Sequence, residues 1–314
     1  MKKVITPLII ALGLWSNTAL ASDSVDESKD ASANGFVKIN VVRGSVDVTG
    51  WSRNQVEVTG TLDEKTREFI FDVKGDDTVI DVKIPHNISN WCCDDGSDLH
   101  IKVPAGSKLV IGGVSTDVSV EKIGGGLEVG NVSGDIRVVD VEDRVRLSSV
   151  SGQIELRQAK GRIRIKSVSG EIEVSEAHGQ GYYHSVSGSI TLSDVSDELD
   201  IESVSGEIEI SDAKVSLLRG TSVSGDVDVD AEMIEGAGLD FETISGSIRL
   251  RLSGEMGAKY DLETGSGSIR NRISDDRPRT SKYSRDEALR FTLEGGTGEV
   301  IANTRSGDIV LSKN

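Results

Sequence analysis

Five cations recur on one alternating face of this chain: Arg144 and Arg146, then Arg162, Arg164 and Lys166 one period of 18 residues later. Tyr182 and His184 occupy the matching places in the next period. Guanidinium groups at regular spacing suit an anionic polymer, and an outward aromatic ring can stack on a sugar. The chemistry expected here is binding, not bond breaking, by exposed charges that salt screens.

The other reactive groups lead less far. Cys92 and Cys93 are adjacent and are the only two cysteines. They can form a strained vicinal disulfide, pair between chains, or stay reduced, so a redox role is open to them; they cannot staple distant parts of a fold. They lie in Trp91-Cys92-Cys93-Asp94-Asp95-Gly96-Ser97-Asp98. Thiolate zinc sites want spaced ligand pairs and calcium loops a longer oxygen ladder, so no metal is expected. Glu155 and Glu173, like Gln153 and Glu171, stand one period apart, and Glu207, Glu209, Asp226 and Asp228 continue that face, which reads as solvated. No Gly-x-Ser-x-Gly elbow, His-Glu-x-x-His pair or phosphate loop occurs, and His86, His100, His178 and His184 lack ligand spacing. No enzyme activity and no cofactor are expected. The alternative is a polysaccharide-active β-helix enzyme, which would need close, partly buried carboxylates in a groove.

What positions the cations is a repeat. Val-Ser-Gly recurs at Val132, Val150, Val168, Val186 and Val204, then at Val223 and Ile244. Gly265-Ser266-Gly267 and Arg305-Ser306-Gly307 are worn copies, and Val114-Ser115-Thr116 opens the series. A short fixed period marks a stack of like units. Within Gly161–Gly179, Ile163 and Ile165 alternate with Arg162, Arg164 and Lys166; beyond Ser167 the inward set becomes Val168, Ile172 and Val174. That change of parity needs a corner, supplied by Ser167-Val168-Ser169-Gly170, where glycine relaxes the backbone. A second corner falls at Ser175–Gly179, so each period is two strands and two corners.

The period aligns columns. One runs Leu109, Leu127, Val145, Ile163, Leu199, with a gap at Gly181 that bulky Tyr183 in the neighbouring column compensates. Another runs Ile136, Ile154, Ile172, Ile190, Ile208, Val227, Ile248, and the second corner adds Ile123, Val141, Ala159, Ala177, Val195, Ala213. Equivalent residues should stack ~4.8 Å apart as parallel strands. The expected fold is all-β: a single-stranded parallel β-helix, a β-solenoid of about 18 residues per turn. So thin a solenoid leaves little room for an enclosed cavity.

The ends differ from the middle. Lys2 and Lys3, the apolar run Val4–Trp15 and Ala19-Leu20-Ala21 read as a signal peptide over 1–21. No later run reaches ~20 apolar residues, so no membrane span is expected after cleavage. The setting expected is periplasmic, or the cell surface after secretion. Residues 22–34 are polar and expected to be disordered. Residues 35–104 read as an N-terminal β cap, with strands at Phe36–Val42, Gln55–Gly60, Glu68–Val73 and Val79–Ile84, and with Val42-Arg43-Gly44 as a displaced first repeat. Residues 105–314 form the repeat domain, with an inserted loop around 274–286. The net charge of −17 becomes −19 when Lys2 and Lys3 leave, which disfavours nucleic acid and anionic membranes as partners. Aromatic content of 4% suits thin turns better than a globular core.

Taken together, the N-terminal β segment, Asp98-Leu99-His100-Ile101-Lys102-Val103-Pro104-Ala105-Gly106 and the serial Val-Ser-Gly-Asp/Glu-Ile strands resemble a bacterial adhesin-like family of unknown function with a β-strand repeat, DUF4097. The resemblance spans roughly Gly35 to Leu311. It implies a β-helix, right-handed as parallel crossovers generally are, and brings no catalytic residues. The expected role is that of an exported scaffold or binding protein of the envelope. Its partners would be an envelope polysaccharide or another envelope protein, met on its lateral faces.

Overall fold

The computed structural model describes residues 24–85, 96–280, 285–293 and 295–314. The signal-peptide reading and the cysteine pair Cys92 and Cys93 lie outside the described residues. The described chain contains twenty-one strands and no helix, and all the strands belong to one continuous sheet.

The 18-residue period becomes the register of parallel pairing. Ile136–Ser149, Ile154–Ser167, Ile172–Ser185 and Ile190–Ser203 lie in succession, with Ile154 on Ile136 and on Ile172, and Ile190 on Ile172. The expected columns are the core: the isoleucines from Ile136 to Ile208 are all buried, as are Leu109, Val145, Ile163 and Leu199. Gly181 and Tyr183 compensate as expected. A Cβ at Gly181 would lie 2.6 Å from Tyr183 Cε2, so the ring occupies the space the glycine leaves. At Gly220 the space is taken instead by Phe241 of the next turn, whose Cδ1 lies 2.7 Å from where a Cβ would sit.

The first corner corrects two expectations. Val168 does not point inward; it is 43% exposed, and Val114, Val132, Val150, Val204, Val223 and Ile244 are likewise exposed. The inward residue is the one before it, giving a buried column of Ser149, Ser167, Ser185, Ser203, Ser222 and Thr243. The parity break falls between Ser167 and Gly170 and leaves Val168-Ser169 outside. At Ser149 and Ser203 the inward hydroxyl bonds the turn, whereas those of Ser167, Ser185, Ser222 and Thr243 find no partner. The Gly206 amide donates to Ser203 Oγ at 3.0 Å and Ser203 Oγ–H donates to the Gly206 carbonyl at 2.9 Å; the Gly152 amide donates to Ser149 Oγ at 2.9 Å. A valine there would leave the amide without that partner.

The glycine itself answers to close approach. A Cβ at Gly152, Gly170, Gly188, Gly206, Gly225 or Gly246 would come within 1.8–2.3 Å of the carbonyl oxygen of the glycine one turn before. In this column Gly134 alone has a left-handed φ, 96°. The left-handed backbone belongs to the second corner, where Asp140, Gln158, Glu176, Asp194 and Asp212 have φ of 50–57°. Three of these are Asp, whose short polar side chain tolerates that region.

Both ends of the stack depart from chain order. Phe36–Trp51 pairs in parallel with Lys108–Ile123, Val37 on Leu109 and Val46 on Val118. Its other edge carries Asp77–Lys83 and Ser97–Pro104, also parallel. The parallel stack therefore reaches into the region read as a cap, across the boundary drawn at residue 105. Antiparallel strands close this end: Glu68–Lys74 on Asp77–Lys83, and Gln55–Thr61 on Ser97–Pro104. Ser24–Asp30, expected to be disordered, is a strand antiparallel to Gln55–Thr61. Its backbone satisfies an edge that would otherwise stay open.

At the other end Gly298–Ser306 lies between Val227–Ser245 and Ala258–Thr264, with Val300 paired to both Leu239 and Tyr260. Ile309–Lys313 lies between Ile248–Gly254 and Ile269–Asn271. The worn corners thus stack out of order, Gly307 on Gly246 and Gly267 on Gly307. Glu287–Thr292 closes the edge antiparallel to Ala258–Thr264, with Phe291 stacked on Tyr260 at 4.6 Å. Arg279–Thr280, within the segment read as a loop, pairs with Glu287–Thr292.

Candidate functional site

The five cations meet on one lateral face. Burying Val145, Ile163 and Leu199 turns the residues between them outward, and the register then sets Arg144 beside Arg162, Arg162 beside Gln180, and Gln180 beside Glu198. The next outward column runs Arg146, Arg164, Tyr182, Asp200, Arg219, and the third Ser148, Lys166, His184, Glu202, Thr221. All seven residues read from the sequence as a binding face therefore share one surface. An open depression of about 540 Å³ lies over it, between Arg144, Arg162 and Tyr182 on one side and Glu198, Asp200 and Arg219 on the other.

The charges there are unequally satisfied. Among the described residues Arg144, Arg162, Arg164 and Lys166 have no ion pair, whereas Arg146 lies 3.7 Å from Glu128. The Tyr182 ring is half-buried and less open to a sugar than the sequence suggests. Arg164 covers it at 4.6 Å from the ring centre, and Lys166 approaches to 5.8 Å. The Tyr182 hydroxyl donates to Glu202 at 2.8 Å, and His184 Nδ1 is 3.2 Å from the same carboxylate. Burial, then the Glu202 contact, pushes the Tyr182 hydroxyl up to about 12.

The carboxylate face differs from its expectation. Glu155 is not solvated: it is buried, with Arg137 Nη2 at 2.7 Å and Arg157 Nη2 at 2.5 Å. Asp226 and Asp228 share Arg249, at 3.0 and 2.7 Å. Arginines thus neutralise Glu155, Asp226 and Asp228, while Glu171, Glu173, Glu207 and Glu209 are exposed as expected. Ser189 and Thr191 separate Glu171 and Glu173 from Glu207 and Glu209 in a smaller depression. No cluster of three or more metal-ligating side chains occurs among the described residues.

One feature escaped the sequence reading of this face, on which the acidic row Glu198, Asp200 and Glu202 follows the cations, as the sequence places Asp200 and Glu202. The exposed aliphatic ridge beside it was hidden because Val168 was read as inward. The signal was available: Ser or Thr precedes the outward residue in every turn from Ser149 to Thr243.

A family model, Toastrack DUF4097, matches residues 27–312. No curated protein matches the chain. A solved structure, described as that of a candidate cell adhesion protein from Clostridium sporogenes, aligns with 93% of this chain and 100% of its own at 10% identity. The TM-score is 0.22.

Proposed function

The chain belongs to the Toastrack DUF4097 family, and from that premise we propose an exported, non-enzymatic β-solenoid that binds an anionic envelope polymer on its basic lateral face. Export rests on Lys2, Lys3, the apolar run to Trp15 and Ala19-Leu20-Ala21. No helix among the described residues is long and apolar enough to cross a membrane.

One observation carries the binding reading: whereas Arg137, Arg157 and Arg249 each find a carboxylate, four cations on adjacent strands, over an open depression, have no ion pair among the described residues. Their spacing along the stack, ~4.8 Å per turn, suits an extended chain. The non-enzymatic reading rests on the sequence, in which no Gly-x-Ser-x-Gly elbow, His-Glu-x-x-His pair or phosphate loop occurs.

Dextran sulfate, with neutral dextran as control, tests the reading. The protein should retain the sulfated polymer and release it as salt rises. Reversing Arg146 and Arg164 to Glu should weaken retention at least about tenfold with the circular dichroism unchanged. Equal retention by the variant would make this face merely solvated, and new reducing ends from envelope polysaccharide would overturn the non-enzymatic reading.

A further inference from the structure

The basic face is half of a surface whose other half is acidic, and the two halves are related by an inversion of row order. Arg162, Arg164 and Lys166 form one outward row; Gln180, Tyr182 and His184 the next; Glu198, Asp200 and Glu202 the one after. Column by column, a cation stands one turn to one side of the middle row and a carboxylate one turn to the other. A two-fold axis through Tyr182, lying along the strands, exchanges the outer rows.

We propose that this face docks on a second copy of this chain, with the two stack axes antiparallel and Tyr182 near the dyad. Arg162 then opposes Glu198 of the other copy, Arg164 opposes Asp200, and Lys166 opposes Glu202, each twice by symmetry. Among the described residues Arg162, Arg164 and Lys166 have no ion pair within their own chain, Arg164 and Lys166 lying over the Tyr182 ring instead, so the second copy supplies the carboxylates. One row further out Arg146 falls opposite Arg219, but each is offset by its own chain, through Glu128 and Asp240, both at 3.7 Å.

The aliphatic ridge extends the contact. It borders this face at the first corner, and the same axis lays it on itself: Val168 meets Val204 and Val150 meets Val223, all at least 37% exposed. Few other partners would match both an aliphatic side chain at every ~4.8 Å step and the inverted charge rows. Seven turns by about six residues give a contact of roughly 600–700 Å² per copy. That lies somewhat under the ~800 Å² of a standard interface, so a weak, reversible dimer is expected.

The inference goes beyond polymer binding and stands without it, although both use the same cations. Sedimentation of the full-length protein without polymer tests it. A dimer should appear near about 100 μM in low salt and dissociate in high salt. Arg164→Glu should weaken association about tenfold, and Asp200→Arg likewise. Combined, the two changes should restore it, because residues 164 and 200 meet only between copies; within one chain they lie two turns, ~9.6 Å, apart. A wild type monomeric at every salt, or a double variant weaker than either single, overturns the proposal. Circular dichroism of each variant confirms folding, and failure here leaves retention of dextran sulfate unaffected.

Discussion

Gly170 lies so close to Gly152 of the preceding turn that a Cβ on it would sit 1.9 Å from the Gly152 carbonyl oxygen. The repeat therefore keeps glycine to let successive corners approach. Gly170→Ala should force two turns apart and lower stability by about 3 kcal/mol or more, beyond ordinary overpacking, because the obstacle is backbone. Gly124→Ala, whose Cβ would meet its nearest atom at an ordinary 3.6 Å, should change little. Thermal unfolding of both variants checks this.

The buried hydroxyls should matter more than the valines that advertise the repeat. Ser203→Ala removes the group that both accepts from and donates to Gly206, a loss of about 1–3 kcal/mol. Val204→Ser, on the exposed side of the same corner, should stay within about 0.5 kcal/mol of the parent. Urea unfolding midpoints separate the two; a larger effect at Val204 would contradict the orientation found here.

Gly181 and Tyr183 should be coupled. Gly181→Ile alone drives a side chain into the Tyr183 ring and should destabilise strongly. Combined with Tyr183→Ile it restores the pattern of the flanking turn, Ile163 with Ile165, and should recover much of the loss. A double-mutant cycle would show an interaction of about 1 kcal/mol or more.

Acid should loosen the N-terminal end first. Arg43 Nη2 donates to Asp63 Oδ1 at 2.8 Å with both side chains buried, and this bond holds the Asp63 carboxyl below its ordinary value of 3.8. A depressed carboxyl stabilises the fold above its unfolded value, and the contribution fades as pH falls through the lower folded value. Hydrogen exchange along Phe36–Trp51 and Gln55–Thr61 should therefore quicken below about pH 4. Arg43→Met should produce the same loosening at neutral pH, by about 3–5 kcal/mol, because it strands a buried carboxylate.

Alkali acts through Tyr182 and Tyr183. Tyr182 is pushed up to about 12, and full burial raises Tyr183 further. The folded state thus holds protons that the unfolded chain releases near pH 10, so stability should fall as pH rises above that value. In an ultraviolet titration Tyr183 should ionise only together with unfolding.

Much of this molecule was legible in the order of its residues. In a stack, the residue that packs above position i is position i+18, so the inner columns, the gap at Gly181 and the row of cations could be read by counting. The sequence also carried the resemblance to its family. Three things needed the tertiary structure. Whether Val168 or Ser167 turns inward is decided by the backbone path through the corner, which hydrophobicity misreads; at Ser149 and Ser203 the inward hydroxyl also bonds the corner glycine. The exchange of places at the ends is equally silent in a period: Val37 packs on Leu109, 72 residues on, and Val300 fits between Leu239 and Tyr260. Open strand edges accept whichever segment satisfies them, and that is settled by what else the edge must bury. Last, folding alone showed which cations other charges leave without an ion pair among the described residues, since Glu155 and Arg146 find partners one turn away while Arg162 and Arg164 face outward.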